Sequence, residues 1–220
     1  MASRKPSTRT KTAPARKRAH PPSAKKRTET RPPIRKLTWP PGTLVWPAPA
    51  ALVSCQLPGG TPNFLAVAWC GTANSDPPML TVAIRPSRLS HEIIERTGEF
   101  VVNLPSAAVA WATDYAGVVS GRKVDKFAAT GLTPLAGEAV SCPGIAECPI
   151  NLECRAERWI PLGSHSLIVG KIVAVRVMAD LVDAKGRLRI EDADLLAFAH
   201  GFYFTLGKQV GRFGWSVRKK

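Results

Sequence analysis

Four residues carry the clearest potential for chemistry: the run Ser87-Arg88-Leu89-Ser90 follows a proline and opens an amphipathic pattern. That pattern predicts a helix that begins near Ser87 and stops at Gly98. The first N–H groups of a helix are unpaired and carry partial positive charge, so this start suits a phosphate held by Ser87, Arg88 and Ser90. An ordinary serine N-cap beside a surface arginine fits the same residues, and the sequence leaves the two interpretations open.

A run of small residues offers a second binding surface. Residues 66–78 read AVAWCGTANSDPP, and the part from Gly71 to Pro78 is predicted to be a loop. Because few bulky side chains cover the backbone there, its N–H groups can approach a flat heterocycle closely.

Several motifs of catalytic and metal sites are absent from the sequence. It contains no GxGxxG, no phosphate loop, no HExxH and no GxSxG. The four histidines lack metal-ligand spacing, and Cys148 and Cys154, six residues apart, fit small-residue packing better than a zinc site. We therefore predict no metal and no catalytic acid or base.

The elements that must position these residues are mainly β. Short apolar runs between turn residues indicate strands, including a hairpin at Pro58-Gly59-Gly60 and a long strand over residues 167–178. Residues 150–157 alternate apolar and polar side chains, which predicts a strand with one face in water. A second helix is predicted over residues 107–118. Because most strands are joined by short turns, we expect an antiparallel sheet, and closing it into a barrel would remove its free edges.

The positive charge of the chain is concentrated at its N-terminus. The net charge is +15, but residues 1–36 hold 13 Lys and Arg with one acid, Glu29, and the rest carries only +3. Without a Val, Leu, Phe, Trp or Tyr this segment cannot form a core, which predicts a disordered basic tail before one domain over 37–220. Such a tail fits non-specific binding to nucleic acid or anionic membrane, a solubilising extension, or a misassigned start codon.

The apolar runs and the cysteines indicate the cellular compartment of the protein. No run reaches the ~18–20 apolar residues of a membrane span, and the N-terminus lacks the apolar core of a secretory signal. Five cysteines without a CxxC pair disfavour a disulfide scaffold. These observations predict a cytoplasmic protein.

Seven segments of the body, taken in order, resemble the flavin-reductase-like, FMN-binding split-barrel family, and within it the flavoredoxin-like proteins. The resemblance covers residues 45–218 and excludes the basic tail. Each segment alone is weakly specific, whereas the ordered set is specific. The segments are 63–69 (NFLAVAW), 71–72 (GT) with 75–78 (SDPP), 85–90 (RPSRLS), 97–104 (TGEFVVNL), 120–127 (SGRKVDKF), 163–170 (GSHSLIVG) and 200–203 (HGFY).

This resemblance implies a six-stranded Greek-key barrel with flanking helices, a homodimer, and FMN near the dimer interface. By similarity, Ser87, Arg88 and Ser90 would hold the phosphate. Lys126 would reach the flavin region, of its own subunit or of the other, and His165 would stand beside the flavin ring. The isoalloxazine and ribityl groups would contact one continuous segment, largely through its backbone: Ala66, Val67, Ala68, Trp69, Cys70, Gly71, Thr72, Ala73 and Asn74.

Cys70 stands where relatives vary, so two roles stay open for it: a small buried residue, or a thiol that contacts flavin or substrate.

The resemblance also implies the reaction. In the simplest scheme NADH or NADPH passes a hydride to bound flavin, a step that needs no protein acid or base, and reduced flavin then passes the electrons on or leaves. A flavin-binding electron carrier that is served by a redox partner fits as well. A nucleic-acid-binding protein is a third alternative, and it depends on the tail alone.

Overall fold

The computed structural model describes residues 33–217, which divide into two units after Gly42. Residues 33–42 are exposed and contain neither helix nor strand. The predicted tail of residues 1–36 lies outside the described residues except for its last four. The elements below all belong to the second unit, residues 43–217.

This unit is built mainly from β-strands. Its helices are α1 (Leu89–Thr97), α2 (Ala110–Val118) and α3 (Lys126–Thr130), with 3-10 turns at Ala107–Val109, Ala179–Leu181, Ile190–Asp192 and Trp215–Val217. Its strands are β1 (Ala48–Pro49), β2 (Ala51–Cys55), β3 (Asn63–Val67), β4 (Cys70–Ser75), β5 (Pro78–Ile84), β6 (Glu99–Leu104), β7 (Pro134–Leu135), β8 (Gly144–Ile145), β9 (Ile150–Pro161), β10 (Ser166–Val177), β11 (Leu196–Ala199) and β12 (Phe202–Thr205).

Seven strands form one antiparallel sheet in the order β3-β2-β6-β9-β10-β5-β4. β3 and β4 are its two edges, yet only Ala68 and Trp69 separate them in the chain. A flat sheet would place these edges about 29 Å apart, at ~4.8 Å per strand, whereas the link from Val67 to Cys70 reaches at most about 11 Å. The sheet must therefore curl until its edges meet, and β3 packs beside β5.

β3 and β4 together act as one bent strand that closes a six-stranded barrel. The first half of this strand pairs with β2 and the second half with β5. α1 and α2 pack against β2 and β3, and a separate sheet is formed by β1, β11 and β12. The predicted fold class, a mainly β Greek-key barrel with flanking helices, is confirmed.

The barrel interior is filled by the inward-facing apolar side chains of its strands. Val53, Val82, Phe100 and Ile168 are fully buried there. Gly170 of β10 makes room for the largest of them, because a Cβ at this position would lie 2.6 Å from Cζ of Phe100. The phenylalanine ring thus occupies the space that a side chain on β10 would need.

Two predictions about individual strands are wrong. Residues 71–75, predicted as loop, belong to β4, because pairing with β5 uses only backbone groups and tolerates small exposed residues. The predicted wet face of β9 is buried at Asn151 and Glu153. Asn151 donates to the Asn103 side chain at 2.8 Å, and the Glu153 carboxylate accepts backbone N–H groups from residues 138–140, so the loop before β8 covers this face.

Two features were sought among the described residues: a helix that could span a membrane, and a cluster of metal-binding side chains. No described helix has the length and apolar character needed to cross a bilayer. Likewise, residues 33–217 hold no group of three or more His, Cys, Asp or Glu side chains arranged to bind a metal ion.

The close approach of Phe100 to Gly170 yields a stability prediction. Gly170→Ala should lower the free energy of unfolding by about 1–3 kcal/mol, because the added methyl group must displace a packed ring. Gly71→Ala is the matched control, since Gly71 also lies in a strand and a Cβ there meets nothing within 4 Å. Urea denaturation of both variants measures the effect, and equal stability of the two would contradict it.

Candidate functional site

The bent strand changes partners over residues 66–69. Val67 is the last residue of β3 to pair with β2, opposite Ala51. Trp69 is the first to join β5, and its carbonyl accepts the Ala83 N–H at 2.9 Å. Because the backbone leaves β2 before it reaches β5, the bend is not part of a continuous ladder of strand hydrogen bonds. It borders open space instead.

A cavity of about 190 Å³ lies at this bend, and we call it the cationic cavity. It is lined by residues 65–69, residues 83–85, Arg88 and His165. Arg85 and Arg88 supply its charge, and no carboxylate of the described residues lines it. Two guanidinium groups without an acid favour a ligand that carries an anionic group, such as a phosphate or carboxylate.

Arg88 is positioned by the ends of two helices. It is the N-cap residue of α1, where no side chain caps the helix, so the serine N-cap interpretation is wrong; Ser87 is exposed. Nη2 of Arg88 donates to the carbonyl of Gly117, in the last turn of α2, at 3.1 Å. The negative end of the α2 dipole favours a cation there. This bond uses one of five guanidinium donors, which leaves the others for an anion.

Ser90 faces the interior of the protein. It is only 1% exposed, and its hydroxyl accepts the Asn63 side-chain N–H at 2.7 Å. Asn63 is in turn packed against Gly121, where a Cβ would lie 2.0 Å from its Oδ1. Ser90 therefore joins α1 to β3 and does not line the cationic cavity.

Trp69 and His165 form the aromatic wall of the cationic cavity. Their ring centroids are 4.4 Å apart, with the planes tilted by 46°. Nδ1 of His165 shares a hydrogen bond of 2.9 Å with the Ser164 hydroxyl. Partial burial, followed by the positive charge of Arg85, lowers the pKa of His165, which favours the neutral ring. The wall thus consists of two tilted aromatic rings and is mainly uncharged.

Lys126 is a buried cation behind the cationic cavity. Its side chain is 3% exposed, and Nζ donates to the carbonyls of Phe64 and Ala116, each at 2.8 Å. Burial, followed by repulsion from Arg88, lowers the pKa of Lys126 to about 8. Lys126 therefore ties α2 to β3 and does not line the cationic cavity of its own chain.

Residues 70–74 lie on β4, outside the cationic cavity. Cys70 packs against the barrel core, and burial raises the pKa of its thiol to about 12. This position fits the first of its two interpretations, a small buried residue. Gly71, Thr72, Ala73 and Asn74 are exposed on the strand, where the Asn74 side chain donates to the carbonyl of Pro77 at 2.9 Å.

The structure thus brings together six of the fourteen predicted site residues in one cavity: Ala66, Val67, Ala68, Trp69, Arg88 and His165. Sequence reasoning missed Arg85, which lies at the end of β5 and lines the same cavity. The signal was present, because Arg85 opens the segment 85–90 three residues before Arg88.

Comparison with known proteins identifies the family of this fold. The model of the flavin reductase like domain matches residues 45–206. An uncharacterized protein of Archaeoglobus fulgidus is 38% identical over 114 residues, which cover 52% of this chain and 64% of that protein. The alignment with a Pyrococcus abyssi relative covers 66% of that protein. The alignments thus span just under two thirds of these two archaeal proteins.

Two solved structures are similar over most of the chain. Flavoredoxin of Desulfovibrio vulgaris (Miyazaki F) has a TM-score of 0.79 at 31% identity, covering 84% of this chain and 100% of its own. Flavoredoxin from Methanosarcina acetivorans has a TM-score of 0.77 at 30% identity, covering 83% of this chain and 97% of its own.

The buried Lys126 yields a pH prediction. Between pH 8 and its ordinary pKa of 10.5, the unfolded chain holds the Lys126 proton and the folded chain does not, so this residue's contribution to stability rises with pH. Relative to Lys126→Met, the wild type should therefore gain roughly 1 kcal/mol of unfolding free energy per pH unit across that window. Cysteine ionisation acts on both proteins and cancels in the difference.

Chemical denaturation between pH 7.5 and 10 measures this difference. Lys123→Met is the control, because Lys123 is exposed in the same segment. A difference between wild type and Lys126→Met that stays constant with pH would show that Lys126 titrates normally in the folded protein.

Proposed function

We infer that this chain, which belongs to the flavin reductase like family, binds FMN non-covalently and acts as an oxidoreductase through that cofactor. The observation that carries this proposal is the cationic cavity, where two arginines and an aromatic wall adjoin an open backbone segment. A flavin mononucleotide has matching parts: a phosphate, a ribityl chain and a planar ring. The two flavoredoxin relatives support a flavin cofactor.

Arg85 and Arg88 would hold the phosphate. Arg88 is pre-oriented by the Gly117 carbonyl, so little side-chain freedom remains to be lost on binding. Arg85 is exposed at the cavity edge and adds a second charge. Because a carboxylate would repel the phosphate, a cavity wall without one suits this role. Of the predicted phosphate residues, Ser90 instead braces the helix from inside.

Trp69, His165 and the backbone of residues 66–69 would orient the flavin ring. When bound, a flavin supplies the electron chemistry, accepting a hydride or single electrons at its ring. The protein's part is to hold the ring beside an uncharged wall, since a neutral His165 places no charge there. We propose no acid or base among the residues of the chain, because a hydride transfer needs none.

The source of the electrons has two candidates. A flavin reductase would take them from NADH or NADPH. An electron carrier without NAD(P)H turnover would take them from a redox partner protein, which the flavoredoxin relatives favour. We place the reductase first, as the family model is that of a flavin reductase like domain.

We further propose a homodimer. In the described residues, β4 pairs only with β5, and all its residues after Cys70 are exposed. Covering this edge with a second subunit would bury it and would bring residues 71–74 toward a flavin.

A cytoplasmic location is supported by the five free cysteines, which suit a reducing compartment. Nucleic-acid binding by the basic tail stays a weaker alternative.

The phosphate assignment is tested by two ligands that differ in one group. Arg88→Ala should weaken FMN binding roughly ten- to a hundredfold, because a charge-assisted hydrogen bond is lost. Riboflavin, which lacks the phosphate, should bind this variant as it binds the wild type. Arg96→Ala, on the exposed side of the same helix, is the control. Titration followed by flavin fluorescence gives the affinities, and equal losses for both flavins would assign Arg88 a structural role.

The electron donor is tested separately. If the chain is a reductase, NADH or NADPH added without oxygen should bleach the absorbance of the bound flavin within seconds to minutes. If it is a carrier, dithionite should bleach the flavin and both nicotinamides should leave it oxidised. A protein that takes up no added FMN in either test would contradict both versions of the proposal.

A further inference from the structure

A second cavity borders the same bend and is used by neither version of the proposed function. It has a volume of about 150 Å³, and we call it the aromatic cavity. It shares residues 66–68 with the cationic cavity, and its other walls come from Ala50, from α2 and from the three-stranded sheet of β1, β11 and β12. The main groups on those walls are Thr113, Gly117, Phe198 and Tyr203.

The size and lining of the aromatic cavity fit one six-membered ring. An enclosed apolar cavity of about 150 Å³ can hold one benzene ring, and this cavity has a comparable volume but opens to solvent. Phe198 and Tyr203 pack edge to face here, with ring centroids 5.5 Å apart. Thr113, which also lines the cavity, is fully buried. An uncharged aromatic ring would bury its surface against these walls.

The polar atoms of the aromatic cavity select the polar group of its ligand. The Tyr203 hydroxyl donates its hydrogen to Oδ1 of Asp114 at 3.2 Å, and the Thr113 hydroxyl donates to the carbonyl of Val109 at 3.0 Å. With both hydrogens in use, these oxygens can only accept. Burial, followed by Asp114, raises the pKa of Tyr203 to about 12, so its hydroxyl stays protonated.

The charge of Asp114 completes this selection. Its carboxylate is exposed to solvent and accepts from Tyr203, so it lies beside that hydroxyl and disfavours an anionic group bonded there. The ligand should therefore be neutral and should carry a hydrogen-bond donor. A phenol meets both conditions, whereas a benzoate is anionic and a toluene has no donor.

We propose that the aromatic cavity is a binding site for a small neutral phenol whose hydroxyl donates to Oη of Tyr203. This site stands beside the cationic cavity and does not depend on a flavin being bound. A ring held there would lie next to residues 66–68, the segment that the proposed flavin site also uses.

Calorimetric titration of the full chain with phenol and with toluene tests the site, because the two probes have the same number of heavy atoms and differ in the donor. Both should bind the wild type, and phenol should bind more tightly because only phenol has a donor for the Tyr203 oxygen. Tyr203→Phe should lower the phenol-to-toluene affinity ratio by about three- to tenfold, since the acceptor is removed. The matched control is Tyr115→Phe, the other tyrosine of the chain, which stacks on Trp111 away from this cavity.

A second variant tests the cavity without touching the Tyr203–Asp114 pair. Thr113→Leu should fill part of the space and weaken phenol and toluene equally, by about tenfold or more. Any of three results would overturn the proposal. They are an unchanged phenol-to-toluene affinity ratio in Tyr203→Phe, unchanged affinities for both probes in Thr113→Leu, and no binding of either probe to the wild type. Competition between phenol and FMN would also overturn it, by showing that the cavity is part of the flavin site.

Discussion

The whole architecture depends on a two-residue link between the edges of a seven-stranded sheet. Ala68 and Trp69 are too short to connect distant edges, so the sheet has to close on itself. Closure gives every inner strand two neighbours and creates one apolar interior. The Phe100 ring packs there against Gly170, which has no side chain in its way. The same link cannot pair fully with both β2 and β5, and both cavities border it.

Buried polar contacts connect this link to the helices around it. The last turn of α2 receives two cations: Arg88 on the carbonyl of Gly117 and Lys126 on that of Ala116. Lys126 also holds the carbonyl of Phe64 in β3. Because the α2 carbonyls carry the negative end of a helix dipole, they can hold two positive groups near each other. The orientation of Arg88 toward the cationic cavity thus depends on the position of α2, which the core contacts of Lys126 hold.

Part of the candidate site was predictable, and the limits have a physical reason. Residues 66–69, Arg88 and His165 were named from segments of sequence, and the structure places them around one cavity. Ser90 and Lys126 were named as ligand contacts, but their polar atoms bond to Asn63 and to backbone carbonyls. Whether a polar residue serves a ligand or the core depends on the direction of its side chain, which local sequence does not encode.

The sequence by itself determined the local elements and the chemistry available to them. Turn residues set the hairpin after β2, Gly98 ends α1 in the left-handed conformation, and strand periodicity marks the interior of the barrel. Only the tertiary structure decided which polar groups meet. Asn151 and Glu153 follow a pattern typical of a wet face, yet a distant loop covers them. Such contacts join residues far apart in the chain, so no local pattern records them.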